Sequence, residues 1–302
     1  MMRRLAMVAF AAWTAWAQTG EIQANYAKLK EAEGKSDADG VLEWAVKTSE
    51  AARAVVAKPQ PTEADALEQW KKDVDYARQV DVYTEYSLMA TSLTNPGPAK
   101  VVALVEALEK RNPKSQYLGQ AYVGYLGALA QSGQGARIPG VVEARLVNDP
   151  TNEDLLLVAA NVFLEQKNAA KTLEYANRCV DVMKSKAKPE GVADADWAKK
   201  KDAVTGRALW NAGMTYAAQT KHKETDQAFR AALPLIAGQT GLEAPALFYL
   251  GVANYNLGKA SKNKALVTEA VRFSERAAKI PGPYQAPSDK NAKSMKLEFA
   301  IK

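Results

Sequence analysis

Acid–base, nucleophilic and metal chemistry all need several reactive groups brought together, and this sequence is sparing with them. Its 302 residues hold one histidine, His222, and one cysteine, Cys179. A structural or catalytic zinc site draws three or four ligands from such residues, so no metal is expected, nor any other cofactor. A Ser-His-Asp or Cys-His arrangement would need His222 beside an activated nucleophile. His222 instead lies in QTKHKETD, a polar stretch between two apolar segments, and no G-x-S-x-G occurs. No G-x-G-x-x-G or P-loop is present either; QSGQGARIPG supplies glycines, but no strand-like run precedes them and the stretch reads as a turn. Carboxylates gather in EAEGKSDADG and GVADADW. Paired carboxylates do acid–base work when one of them is desolvated, and these sit in polar loops, so solvated charge is the expectation. Cys179 falls at a small position on an apolar helical face, where a thiol acts as a small hydrophobe. The expectation is a protein that is not an enzyme.

The elements that would position any site are helical. Hydrophobic residues make up 47% and charged residues 25%, as in soluble globular chains. Alanine is abundant, β-branched runs are scarce, and Gly and Pro fall between apolar segments, which favours helices. The first seventeen residues stand apart: Arg3 and Arg4, then an uncharged apolar stretch Leu5 to Ala17 ending in Ala15-Trp16-Ala17. That is the tripartite pattern of a secretory signal peptide, with cleavage expected after Ala17. The stretch is shorter than the roughly 20 residues a spanning helix needs. The mature chain is therefore expected in the periplasm or secreted, without stable membrane insertion. One cysteine allows no internal disulfide, so folding must rest on the core.

Charge is uneven. Between Lys259 and Lys302 lie ten basic and four acidic residues. This end could attract an anionic surface, or form a solvated helix face followed by a soluble tail. Nucleic acid is not an expected partner, because the basic excess is confined to one end.

Three segments share a spacing: Leu156-x-x-Ala159-Ala160-x-x-Phe163, Leu209-x-x-Ala212-Gly213-x-x-Tyr216, and Leu247-x-x-Leu250-Gly251 followed by Asn254 and Tyr255. Thr172 and Thr225 each lie nine residues past the aromatic, and Cys179 and Ala232 sixteen past it. Residues at i, i+3, i+4 and i+7 share a helical face, so the small residue would let two helices approach and the aromatic would fill the next turn. Pro113 and Pro150 close segments, and Thr151 or Asn152 should cap the next helix. Six hairpins are predicted, over 21–57, 63–111, 115–147, 153–184, 203–236 and 244–280. Thr62 is expected to cap the second, Pro139 to disturb the third, the insertion after 184 to add a partial helix at 192–202, and some seven residues around GKASKNK to lengthen the sixth.

The spacing resembles the tetratricopeptide repeat, W-x2-L-G-x2-Y with later small and aromatic residues and a closing proline. The resemblance is clearest over 113–280 and weaker over 21–112, with Leu in place of the tryptophan in all three segments. It implies an all-α, right-handed α-solenoid over 18–280, followed by a basic, flexible tail over 281–302. It further implies a scaffold of the bacterial periplasm or cell envelope that binds a protein or peptide in a concave groove. Carried over, the groove positions are Leu157, Asn161 and Leu164, then Trp210 and Met214, then Phe248, Val252 and Tyr255. These residues equally suit burial between neighbouring hairpins. Some relatives grip a carboxylate with asparagines and cations. Asn161 and Asn211 match two such places, but the cationic places hold Leu157, Pro245 and Tyr249, so that grip is not expected. Two other functions fit the same fold: a hydrolase or lyase with carboxylates in the groove, or an envelope adaptor holding anionic surfaces through its basic end.

Overall fold

A computed structural model describes residues 19–301, so the proposed signal segment 1–17 lies outside the described residues. Among the described residues every regular element is a helix, and no strand is present. The chain divides into two compact units between Ile138 and Pro139. The first holds α1 (19–34), α2 (Ala38–Val56), α3 (Ala64–Leu93), α4 (Pro98–Arg111), α5 (Leu118–Gln131) and a short 3-10 turn, Gly135–Arg137. Helix α6 (Ile138–Asn148) starts at the division. The second unit continues with α7 (Glu153–Glu165), α8 (Ala169–Ser185), α9 (Asp194–Ala218), α10 (His222–Ala232), α11 (Thr240–Ser261), α12 (Lys264–Ala278) and α13 (Gln285–Phe299).

One turn recurs. A residue after α1, α5, α7, α9 and α11 adopts the left-handed region: Ser36, Gly133, Lys167, Thr220 and Lys262, with φ of 54°, 72°, 57°, 54° and 53°. The next residue's N–H then reaches back to a carbonyl five positions earlier: Asp37 to Ala32, Gln134 to Leu129, Asn168 to Phe163, Lys221 to Tyr216 and Asn263 to Gly258, at 2.8–3.0 Å. This is the Schellman closure, which satisfies carbonyls that the ending helix leaves open. Asp37, Asn168 and Asn263 then accept the backbone N–H of Gly40, Lys171 and Ala265, starting the returning helix. The α3–α4 connection differs, using Asn95 and Gly97 at positive φ and Pro98 at the first helical position.

Within each unit the helices stack in chain order. In the first, α2 packs on α3, α3 on α4 and α4 on α5, while α2 also touches α4 and α3 touches α5. In the second, each of α7 to α12 packs on the helix that follows it, and α7 touches α9, α9 touches α11 and α11 touches α13. The small residues of the repeat do what their spacing implies. A Cβ on Gly213 would lie 2.7 Å from the Phe229 ring of α10, and one on Gly251 would stand 3.3 Å from the Ala270 carbonyl of α12. Phe163 stacks on Tyr175 of α8 with centroids 5.6 Å apart. In the sixth hairpin Asn254 holds the aromatic's place, fully buried. Its Nδ2 donates to Asp226 at 2.6 Å, and Arg230 joins it at 3.0 Å while gripping Glu269 at 2.6 and 2.7 Å. Ion pairs and amide bonds link α10, α11 and α12 where an aromatic would have packed.

Several expectations are corrected. Pro139 does not disturb a helix; it sits in the first turn of α6, where its missing N–H has no intrahelical carbonyl to lose. Thr62 is not the cap of α3, whose N-cap is Glu63 without a side-chain bond. The partial helix at 192–202 is the opening of α9, which runs unbroken through Ala218. The expected flexible tail instead forms α13, which packs on α12 and buries Ser288, Ala292 and Met295. Asn152 does cap α7, accepting from Leu155 N–H at 3.0 Å just after Pro150.

The opening of α9 is held by Glu153, whose side chain is 6% exposed. It accepts from Lys200 of α9 at 2.8 Å and from Lys186 of the preceding loop. Burial pushes the Glu153 pKa up, but the two ammonium groups outweigh it and hold the carboxyl below its ordinary 4.5. A depressed carboxylate adds stability above its unfolded pKa and loses it as pH falls through the folded value. Glu153→Gln is expected to lower stability at pH 7 by about 1–3 kcal/mol and to flatten the decline below about pH 4.5, both read by urea denaturation across pH.

The turn and packing geometry give a second, oppositely signed pair. Thr220 is β-branched at a left-handed φ that costs a non-glycine residue about 1 kcal/mol, so Thr220→Gly should raise stability by roughly that amount. Gly213→Ala should lower it, because overpacking against Phe229 costs about 1–3 kcal/mol, more than the helix propensity gained. Urea midpoints of the two variants should move to opposite sides of the parent.

Candidate functional site

The eight groove positions lie on α7, α9 and α11 and are all half-buried. Several are tied into one surface. Asn161 on α7 accepts from Asn211 Nδ2 at 2.8 Å and from Arg207 Nε at 3.3 Å, both on α9. Trp210 donates from its indole nitrogen to the Leu242 carbonyl in the first turn of α11, at 2.9 Å. Trp210 and Met214 rest against a buried cluster that includes Phe229, Ile236, Leu247 and Leu250. The long α9 fixes this geometry, since Glu153 and Asp154 anchor its opening through Lys200.

Two of the sixth hairpin's three positions are in contact with the chain's own C-terminal segment. Phe248 meets Tyr284, just before α13, with centroids 5.2 Å apart. Tyr255 meets Phe299 of α13 edge-on at 6.2 Å and donates from its hydroxyl to Glu298 at 2.6 Å. Phe299 and Ile301 also pack with Tyr255 on Val267, Ala270, Val271 and Met295. Phe248 and Tyr255 therefore contact the C-terminal segment, a role the expectation of a loose tail could not supply. Part of the basic excess at this end is also engaged, by Lys259 with Glu298 at 3.0 Å and Lys296 with Glu275 at 2.6 Å.

Arg207 joins the surface although the groove positions do not include it. It precedes Trp210 by three residues and Asn211 by four, so it shares their face of α9. Its guanidinium lies over the Trp210 ring, 4.9 Å from the centroid. Burial lowers its pKa, opposed by the more distant charge of Glu165. No carboxylate oxygen among the described residues lies within 4.0 Å of it, whereas Arg111, Arg145, Arg178 and Arg230, the other arginines that are not exposed, each have one. Asn211 beside it is fully buried, and its Oδ1 has no hydrogen-bond partner. The helical spacing from Trp210 was the signal in the sequence that could have found Arg207.

Cys179 is fully buried, and burial pushes its thiol up to about 12, so it is not a thiolate at neutral pH. His222 opens α10. Among the described residues no group of three or more His, Cys, Asp or Glu side chains is placed to hold a metal ion.

The first unit presents a separate apolar surface that the groove positions missed. Val82, Tyr86 and Leu93 are exposed along one stripe of α3, with Val123 exposed on α5. Tyr26, Tyr83, Tyr86 and Tyr117 follow one another at 5.3–5.8 Å between ring centroids. A cleft of about 320 Å³ between α2 and α4 is lined by Val46, Glu50, Arg53, Ala107, Lys110 and Arg111. Both of its arginines are engaged, Arg53 with Asp81 at 3.0 Å and Arg111 with the Val46 carbonyl at 2.7 Å.

No family model matches the chain, and no curated protein matches it in sequence.

Proposed function

We propose that the protein is a tetratricopeptide-like, right-handed α-solenoid that works outside the cytoplasm as a non-enzymatic scaffold, holding a partner polypeptide on the face shared by α7, α9 and α11. The recurring turn and the stacking of each helix on its neighbours support the repeat reading, because a unit that cannot bury its own apolar face must borrow its neighbour's. One observation carries the binding role. Asn161, Arg207, Trp210 and Met214 combine amide, cationic, aromatic and flexible apolar groups on adjoining helices. Such a mixture suits a peptide, whose backbone needs polar partners and whose side chains need apolar ones. The signal-like segment 1–17 supports export.

Two measurements test this. Intact mass of the exported protein should correspond to a chain beginning at Gln18. A photo-crosslinking residue in place of Leu157, on α7, should give a polypeptide adduct in the cell envelope that Trp210→Ala abolishes. The same residue in place of the exposed Lys223 on α10 should give none. Equal adducts at both positions, or an adduct indifferent to Trp210→Ala, would remove the α7–α9–α11 face from the reading.

A further inference from the structure

We propose that the outer faces of α12 and α13 form a docking surface for an anionic lipid bilayer, separate from the polypeptide face on α7, α9 and α11. The argument begins with a charge balance. Between Lys259 and Lys302 each of the four acidic residues already holds a cation. Glu269 pairs with Arg230 at 2.6 Å, Glu275 with Lys296 at 2.6 Å, Asp289 with Lys293 at 2.7 Å and Glu298 with Lys259 at 3.0 Å. Lys262, Lys264, Arg272, Lys279 and Lys290 are exposed, and among the described residues none of them has a carboxylate oxygen within 4.0 Å. The local carboxylates are spent, and a positive surplus faces solvent.

Helical spacing gathers that surplus. On α13, Ala286, Lys290, Lys293 and Leu297 follow one another at i, i+4, i+7 and i+11, share a face and are all exposed. Ser288, Ala292 and Met295 are buried on the opposite side, where α13 packs on α12. On α12, Arg272 and Lys279 share an exposed stripe with Glu275 between them, and Glu275 reaches Lys296 of α13, so the two faces adjoin. Leu297 decides what this surface meets. It is 85% exposed, more than any other large hydrophobic among the described residues. A face that only kept a helical stack in solution would be polar throughout. A leucine set among lysines is the pattern of an interfacial helix, whose cations meet the headgroups while its apolar side chain reaches the acyl boundary. The long lysine stems let each ammonium group stay in the headgroup plane. Nucleic acid would supply anions but no apolar layer for Leu297. Four of the five uncompensated cations are lysines, point charges that suit a diffuse anionic surface better than a shaped carboxylate or phosphate partner.

Vesicle sedimentation of the full mature chain tests this. Vesicles of phosphatidylcholine and phosphatidylglycerol in equal parts should carry the chain down at about 0.1 M salt and release it at about 1 M, where the Debye length falls to about 3 Å. Vesicles of phosphatidylcholine alone should leave it in solution. A polarity-sensitive fluorophore on Leu297→Cys should shift to the blue on the mixed vesicles, with the fully buried Cys179 unlabelled. The same label on Lys223→Cys, on α10, should not shift. No binding to the mixed vesicles, equal binding to both kinds, binding that persists at the higher salt, or a label at position 297 that stays in water while the chain is bound would each overturn the proposal.

Lys279→Gln and Lys290→Gln should each weaken vesicle binding by about fivefold, and Leu297→Gln by about tenfold. Urea midpoints should change little, because all three side chains are exposed. Trp210→Ala should leave vesicle binding as it is. Duplex DNA serves as the competing polyanion: at the lower salt it should bind more weakly than the mixed vesicles, with no dependence on Leu297. Loss of vesicle binding in Trp210→Ala, indifference to all three surface variants, or DNA binding at least as tight as that of the vesicles would remove the bilayer from the α12–α13 face.

Discussion

The stacking of these helices depends on how each one turns back. After a helix ends, one residue in the left-handed region and one long backward hydrogen bond reverse the chain within a few residues at five connections among the described residues, and the same closure ends α13 at Ala300. Only Gly133 is a glycine; Ser36, Lys167, Thr220 and Lys262 carry a Cβ into a region that disfavours it. The turn persists because the helices on either side are fixed by burial, which outweighs a local cost of about 1–2 kcal/mol per residue. Backbone geometry, more than any conserved turn residue, is what repeats here.

Given that reversal, the helices must come close enough to exclude water. Gly213 and Gly251 make this possible on α9 and α11, where any side chain would meet α10 or α12. Where the aromatic filler is missing, Asn254 takes its place and must satisfy its amide. Asp226 and Arg230 do so from α10, and Glu269 of α12 holds Arg230 in turn. A polar solution of this kind holds helices in one register, because a shift would strand buried donors and acceptors. It also explains how the sixth hairpin departs from the sequence pattern without departing from the packing.

What could be read in the sequence was local. Leu156 to Phe163 and Leu209 to Tyr216 announce their helices through spacing alone, and Pro150 with Asn152 marks the boundary that α7 observes. What could not be read depended on long-range contacts. Residues 194–202 look like a polar insertion until Glu153 and Asp154 supply partners for Lys200 and α9 grows backward by several turns. The C-terminal segment, broken by Pro281 and Pro283 and rich in lysine, looks soluble until Met295 and Phe299 find the outer side of α12 and Tyr255. Pro139 opens α6 instead of disturbing it, because a proline's effect depends on whether it enters a helix interior or begins a helix, and periodicity alone does not locate the start.

Arg207 belongs to the same class of long-range facts, but its sign is different. Lys200, one face of α9 further back, is compensated by two carboxylates, and Arg230 by two more. On Arg207 the chain spends an aromatic face and a single amide oxygen, interactions of about 0.5–2 kcal/mol each. These orient the guanidinium, and the charge set against its burial is the more distant Glu165. That asymmetry, between a cation fixed in place and a cation paired, is what separates the α9 face from the ion pairs that hold the rest of the second unit together.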